Sequence, residues 1–192
     1  MEPADAVLVA RVLERDDRHA FATLVRRHQS AVRSLLRRLT AGDHAWADDL
    51  AQETFLSAYR SLASFRGQAR LSSWLYRIAY NAWVDAARAR KRPAELADDR
   101  LTSTSGADRA DARMDLERAI AGLRPDERAA LALTYAEDAT HEEAAAILGW
   151  PLGTLKSNVS SAKRKLRTAL VAGAGSVQSE TAAAGGTRSV EP

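Results

Sequence analysis

Residues 140–167 read THEEAAAILGWPLGTLKSNVSSAKRKLR. Apolar side chains recur at helical spacing on both sides of Gly149-Trp150-Pro151. Thr140 with Glu143 three residues on is a capping box, which opens a helix at its N-terminus. Gly149 suits the left-handed backbone that ends one, and Pro151 stands near the start of the next. So short a connection forces the helices Thr140–Leu148 and Leu152–Leu170 to pack on each other as a helix-turn-helix. Ala145, Ile147, Leu148, Leu152, Leu155, Val159 and Leu166 are predicted to be their shared core.

The second helix is strongly basic, and 150–170 holds no acid. In a helix-turn-helix the second helix enters the DNA major groove with its N-terminal part on base edges. Thr154, Lys156, Ser157, Asn158 and Ser161 are placed for that. Asn pairs with adenine and Lys donates to guanine. Lys163, Arg164, Lys165 and Arg167 follow, towards phosphate, where binding is salt-dependent and carries no sequence information. The competing account is a basic helix end that complements the helix dipole and is solvated. The capped first helix and the glycine turn favour DNA.

Strand signals are nearly absent elsewhere, and Ala, Leu and Arg dominate. A first helical unit is predicted over 6–93. Its opening apolar positions, Val9, Val12, Leu13, Phe21, Leu24, Val25, Val32, Leu35 and Leu36, suit one broken helix or two consecutive ones. TAGDH (40–44) is a turn. A helix over 46–62 carries Leu50, Phe55, Leu56, Tyr59 and Leu62 on one side, Gly67 interrupts, and a helix over 72–92 ends at Pro93. Residues 94–113 are polar and acidic and read as a linker. A second unit over 114–172 begins with helices at Met114–Leu123 and Pro125–Ala136. The tail 173–192 is small and polar and is predicted to be disordered. The fold class is therefore all-α: two small helical domains joined by a flexible linker, the C-terminal one containing the helix-turn-helix.

The net charge of +3 over 192 residues is modest, so polyanion binding must come from local clusters. With no cysteine, disulfides, thiolate metal sites and a cysteine nucleophile are excluded. The acidic N-terminus is unlike a signal peptide, and no stretch nears the ~20 apolar residues of a membrane span. These features predict a soluble, cytoplasmic chain without membrane insertion. His19, His28, His44 and His141 match no metal-ligand spacing, and no phosphate-binding glycine loop or nucleophile elbow is present. No catalytic residue, metal, cofactor or small-molecule substrate is expected, and so no enzyme.

The first unit carries two oppositely charged surfaces. DHAWADDLAQETF (43–55) has Asp43, Asp48, Asp49 and Glu53 and no base. Asp49, Gln52 and Glu53 share one helical face. Acids at a helix N-terminus are favourable in any case, which accounts for Asp48 and Asp49 better than for Glu53. SFRGQARLSSWLYRIAYNAWVDAARARKR (64–92) interleaves bases with Phe65, Trp74, Tyr76, Tyr80 and Trp83. That mixture suits single-stranded nucleic acid, whose bases stack and whose phosphates pair. Trp74 reads as core instead, and Tyr80 and Trp83 suit either role.

At these residues the chain resembles a family. DDLAQETFLSAYRSLASFRG with SSWLYRIAYNAWVDAARARKR resembles region 2 of bacterial sigma-70 RNA polymerase sigma factors, nearest to the extracytoplasmic-function (ECF) subfamily. LRPDERAALALTYAEDATHEEAAAILGWPLGTLKSNVSSAKRKLR resembles region 4. The resemblance covers roughly 6–170 and implies a subunit that binds core RNA polymerase and directs initiation at −10 and −35 promoter elements.

It implies roles by position. Asp48, Asp49, Gln52 and Glu53 would dock on the beta-prime clamp helices, with the beta subunit as a further contact. The loop with Phe65, Arg66, Gly67, Arg70 and Ser72 would hold a flipped −10 base, at a stacking cost of a few kcal/mol that a pocket can offset. Arg77, Tyr80, Asn81 and Asp85, followed by Arg88, Arg90, Lys91 and Arg92, would read the −10 region and hold its phosphates. Thr154, Lys156, Ser157, Asn158 and Ser161, with Lys163, Arg164 and Lys165, would read the duplex −35 element. An anti-sigma factor is an implied partner. The chain departs from the family pattern at Asn158 and Ser161, where arginines are frequent, and at Ala69, Arg70, His141 and Ala144. The alternative is a stand-alone helix-turn-helix regulator, for which no ligand pocket or dimer seam is evident.

Overall fold

The computed structural model describes residues 3–94, 116–137 and 139–183, with 91–94, 136 and 172–183 as backbone only. These residues are helical without strands. The first unit holds α1 (Asp5–Arg15), α2 (Arg18–Leu39), α3 (His44–Ser61) and α4 (Leu71–Ala94). The second holds α5 (116–121), α6 (Pro125–Leu131), α7 (His141–Leu148) and α8 (Leu152–Ala183).

Two aspartates decide the first break. Asp16 takes a left-handed φ of 48° and its N–H bonds to Val12 O, ending α1. Asp17 then caps α2 by accepting from Ala20 N at 3.0 Å. That bond, with Arg11 beside it, holds the Asp17 carboxyl below the usual carboxylate range. The N-terminal periodicity thus resolves into two helices rather than one broken helix. Asp43 repeats the device at α3, accepting from Trp46 N at 3.0 Å after Ala41 and Gly42 turn the chain at positive φ. A 3₁₀ turn, Leu62–Ser64, closes α3, and α4 continues through Pro93 to Ala94, two residues beyond the expected last residue, Arg92.

The second unit departs from expectation at three places. α5 ends at 121, two residues before the expected Leu123. The helix from Pro125 is α-helical only to Leu131 and widens into a π-helical turn at Ala132–Ala136. α8 runs on to Ala183, into the stretch predicted to be disordered. The expected linker, apart from Ala94, and the end of the tail, 184–192, lie outside the described residues.

One apolar core spans both units. Val32, Leu35, Leu36 and Leu39 of α2 meet Ala47, Leu50 and Ala51 of α3 and Leu75, Ala79 and Trp83 of α4. The same cluster continues into Ala129, Ala130 and Leu133 and then into Ala144, Ile147, Leu148, Leu155 and Val159. α4 packs on α7, and α2 packs on α6 and the π turn. Leu13 and Leu56, read as core from their spacing, are 48% and 52% exposed.

Candidate nucleic-acid interface

The helix-turn-helix forms as its sequence dictates. Thr140 Oγ1 accepts from Glu143 N at 3.1 Å, and Glu143 Oε2 accepts from Thr140 N at 2.9 Å. The Thr140 bonds hold the Glu143 carboxyl below its ordinary range. Gly149 sits at φ 69°, ψ 30°, a conformation open to glycine at little cost. Leu155 and Val159 of α8 are buried against α7, as expected, while Leu152 and Leu166 are half-buried.

On α8 the predicted DNA-contacting residues divide. Thr154, Lys156, Ser157, Lys163 and Arg164 are exposed. So is Ser160, which the sequence reading passed over although its spacing from Ser157 and Arg164 puts it on the same strip. Lys163 lies over the exposed Tyr135 ring, 4.5 Å from its centroid. Asn158 and Ser161 instead face α6, and Lys165, itself exposed, turns its ammonium to the same helix. Asn158 is buried; its Oδ1 accepts from Arg124 Nη2 at 3.2 Å, and its Nδ2 donates to Thr154 O at 3.1 Å. Ser161 Oγ and Lys165 Nζ both donate to Glu127, each at 2.8 Å. In this arrangement Asn158 has no free edge for a base.

On α4 the second unit covers part of the predicted −10 surface. Tyr80 and Trp83 are both buried. Tyr80 meets Trp150 nearly edge-on, with centroids 6.2 Å apart. Burial first, and then the negative charge of Asp126, pushes the Tyr80 hydroxyl up. Arg77 Nη2 donates to Ala146 O on α7 at 2.5 Å. Tyr76 OH donates to Glu137 Oε2, while Arg38 Nη1 lies 3.6 Å from Glu137 Oε1. Burial and the Glu137 carboxylate raise the Tyr76 hydroxyl strongly. Asn81, Asp85 and Arg88 stay exposed, with Arg88 paired to Asp85 at 3.9 Å. Arg90 stacks over Trp46, 4.1 Å from its ring centroid, and lies 3.4 Å from Asp43. The side chains of Lys91 and Arg92 lie outside the described residues. In the preceding loop Arg66, Gly67 and Arg70 are exposed and Phe65 packs on the half-buried Trp74, centroids 5.5 Å apart, while Ser72, expected in the loop, is half-buried in the first turn of α4.

The acidic face of α3 is separate from both. Asp49, Gln52, Glu53 and Leu56 form one exposed strip, at i, i+3, i+4 and i+7. An open groove of about 320 Å³ runs beside it, lined by Val25, Gln29, Arg33, Gln52, Phe55 and Leu56 among others. Asp48 leans away, to Arg33 at 3.4 Å and Arg37 at 3.8 Å on α2. Leu56 was not foreseen as a surface residue; its signal was its i+7 spacing from Asp49.

Among the described residues no group of three or more His, Asp or Glu could hold a metal ion. Nor, among them, is any helix long and apolar enough to cross a membrane.

The chain is similar to known proteins over both helical units. Residues 24–93 match the Sigma-70 region 2 family, and residues 113–166 match Sigma-70, region 4. The RNA polymerase sigma-H factor of Pseudomonas aeruginosa is 36% identical over 182 residues, covering 86% of this chain and 93% of that protein. The ECF RNA polymerase sigma-E factor of Escherichia coli is 35% identical over 179 residues, covering 84% and 92%. Two solved structures are similar in fold. The sigma factor RpoE of Bartonella quintana, in complex with the anti-sigma factor NepR, gives a TM-score of 0.63 at 28% identity, over 78% of this chain and 96% of that one. CnrH in complex with the cytosolic domain of CnrY gives 0.64 at 27%, over 88% and 99%.

Proposed function

The chain belongs to the sigma-70 family of RNA polymerase sigma factors, in its extracytoplasmic-function subfamily, and from that premise we propose how its surfaces divide the work of promoter recognition. It is a promoter-directing sigma factor that binds RNA polymerase, which sets aside a stand-alone regulator. The strip Asp49, Gln52, Glu53 and Leu56 docks on the polymerase beta-prime clamp helices. The loop 65–73 and α4 capture and hold the melted −10 strand. The exposed strip of α8 reads the −35 duplex. The chain works in the bacterial cytoplasm as an initiation factor and leaves bond formation to polymerase. An anti-sigma factor is its regulatory partner, as in the two similar complexes.

The observation that carries the docking assignment is the strip itself. Two carboxylates and an amide stand in water with a half-exposed leucine beside them, next to an open groove. Carboxylates that only complemented the α3 dipole would need no apolar neighbour. The test is fluorescence anisotropy of the labelled full chain titrated with core polymerase and no DNA. Asp49→Ala with Glu53→Ala is expected to raise Kd at least roughly tenfold, as loss of interface hot spots does, and to leave the melting curve in place. Unchanged affinity removes these residues from docking.

Arg77 and Tyr80 engage the second unit, so −10 reading in this scheme requires α4 to part from α7 and Trp150. Lys163 stands on the exposed side of α8. Lys163→Ala in the holoenzyme should weaken binding to every duplex alike and reduce the slope of log affinity against log salt by roughly 0.9, one phosphate's worth. A change confined to base preference would make Lys163 a base reader instead.

A further inference from the structure

The acid at the heart of the second unit has no part in the scheme so far. Glu127 is the third residue of α6, and its side chain is 1% exposed. Oε2 accepts from Arg124 N at 2.9 Å and from Lys165 Nζ at 2.8 Å. Oε1 accepts from Ser161 Oγ at 2.8 Å and lies 3.2 Å from Arg124 Nε. Burial alone would push this carboxyl up. The Lys165, Arg124 and Ser161 bonds outweigh it and hold the group at about 2, so it is an anion throughout the working range of the protein.

Two of these partners, with Asn158, follow one another along α8 at i, i+3 and i+7, which is one helical face. Asn158 joins through Arg124 Nη2. A helix held at three levels along one face cannot roll about its axis without breaking bonds to a buried carboxylate or to its Arg124 partner, although Lys165 and Arg124 themselves stay partly in water. The roll of α8 decides which side chains its opposite face offers to DNA. The same contact occupies the positive charge of Lys165, which is then not spent on phosphate.

We propose that Glu127 is a positioning residue for promoter reading: by binding Ser161 and Lys165 it fixes the roll of α8, presents Lys156, Ser157 and Ser160 to the groove, and withholds Lys165 from the phosphates. The inference rests on the −35 reading given above. It predicts a signature that a merely structural role does not share. Glu127→Gln keeps the shape of the side chain but releases Lys165 as a free cation. A variant that has only been loosened binds DNA less well with the same or a lower salt slope. Release of a cation makes the slope steeper.

The experiment uses holoenzyme formed from the full chain and core polymerase. It is presented first with a randomised duplex library and then, across a salt series, with a mixed-sequence duplex. Wild type enriches an upstream sequence. Glu127→Gln is expected to enrich it less sharply and to steepen the salt slope by roughly 0.9, an additional three- to fourfold loss of affinity between about 50 and 200 mM salt. The double variant Glu127→Gln, Lys165→Gln is expected to return the slope to the wild-type value while the blurred selection persists. An unchanged slope and unchanged selection in Glu127→Gln overturn the inference and leave −35 reading intact. So does a steeper slope that persists in the double variant, because the extra cation is then not Lys165. If Glu127→Gln melts before the assay, Lys165→Gln alone decides: a wild-type slope supports the withheld charge, and a slope shallower by about 0.9 refutes it. A wild-type holoenzyme that enriched no upstream sequence would sink the −35 reading and this inference with it.

Discussion

Glu137→Ala is expected to part the two helical units of the free protein. The Glu137 carboxylate is 7% exposed and joins three elements: it follows the π turn, accepts from Tyr76 OH on α4, and faces Arg38 on α2. Removing it leaves the Tyr76 hydroxyl buried with no acceptor. An orphaned buried group costs about 1–3 kcal/mol, more beside a charge. At about 2 kcal/mol the ratio of closed to open molecules falls roughly thirtyfold. Tyr76→Phe deletes the same bond but keeps the ring and leaves the carboxylate with Arg38, so its effect should be smaller. Small-angle scattering reads the outcome as an increase in radius of gyration. Trp150 gives a second readout, because its edge-on contact with Tyr80 is lost on opening. A Glu137→Ala profile that superposes on wild type would mean that the apolar core alone holds the units together.

Leu155→Ala should be the most damaging single truncation in the second unit. Leu155 is fully buried, in the core that α7 and α8 share. Its i+4 neighbour on the same face, Val159, is nearly as buried. Shortening a leucine in such a site costs about 2–5 kcal/mol, from lost burial and from the void left behind. Whole domains have only about 5–15 kcal/mol to lose. Thr154→Ala, one residue away and exposed, should stay within about 0.5 kcal/mol of wild type. Thermal melts by circular dichroism of the two variants test the contrast. Near-equal melting points would remove Leu155 from the centre of the packing.

What was legible in the sequence follows a physical line. Local chemistry showed through. The Thr140–Glu143 box, the glycine at 149 and Pro125 at the start of α6 act within a turn of themselves, and each stands where its spacing put it. Periodicity placed the helices but not the break at Asp16, because apolar spacing carries across a left-handed residue without a trace. It also stopped α8 too early, because glycines and small residues argue against a helix without forbidding it. Contacts between distant segments were invisible. Tyr76 and Glu137 are 61 residues apart, and nothing in either neighbourhood announces the other. Glu127 hid for a related reason: an acid in the first turn of a helix needs no explanation beyond the dipole, so its burial left no mark. Asn158 reads as facing DNA because its residue type suggests a contact, whereas only packing tells that it is buried against Arg124, and that Ser161 and the exposed Lys165 both reach Glu127.

The cover over α4 has a consequence for handling the protein in solution. The faces that meet there are aromatic at the centre, with Tyr80 and Trp150, and polar at the rim, with Arg77, Arg38 and Glu137. Whatever draws the units apart wets that aromatic centre. Contiguous exposed apolar surface of this kind promotes self-association. The closed arrangement therefore also acts as a colloidal safeguard, and an opened chain stays dispersed only while another molecule covers the ground that α7 and Trp150 have left.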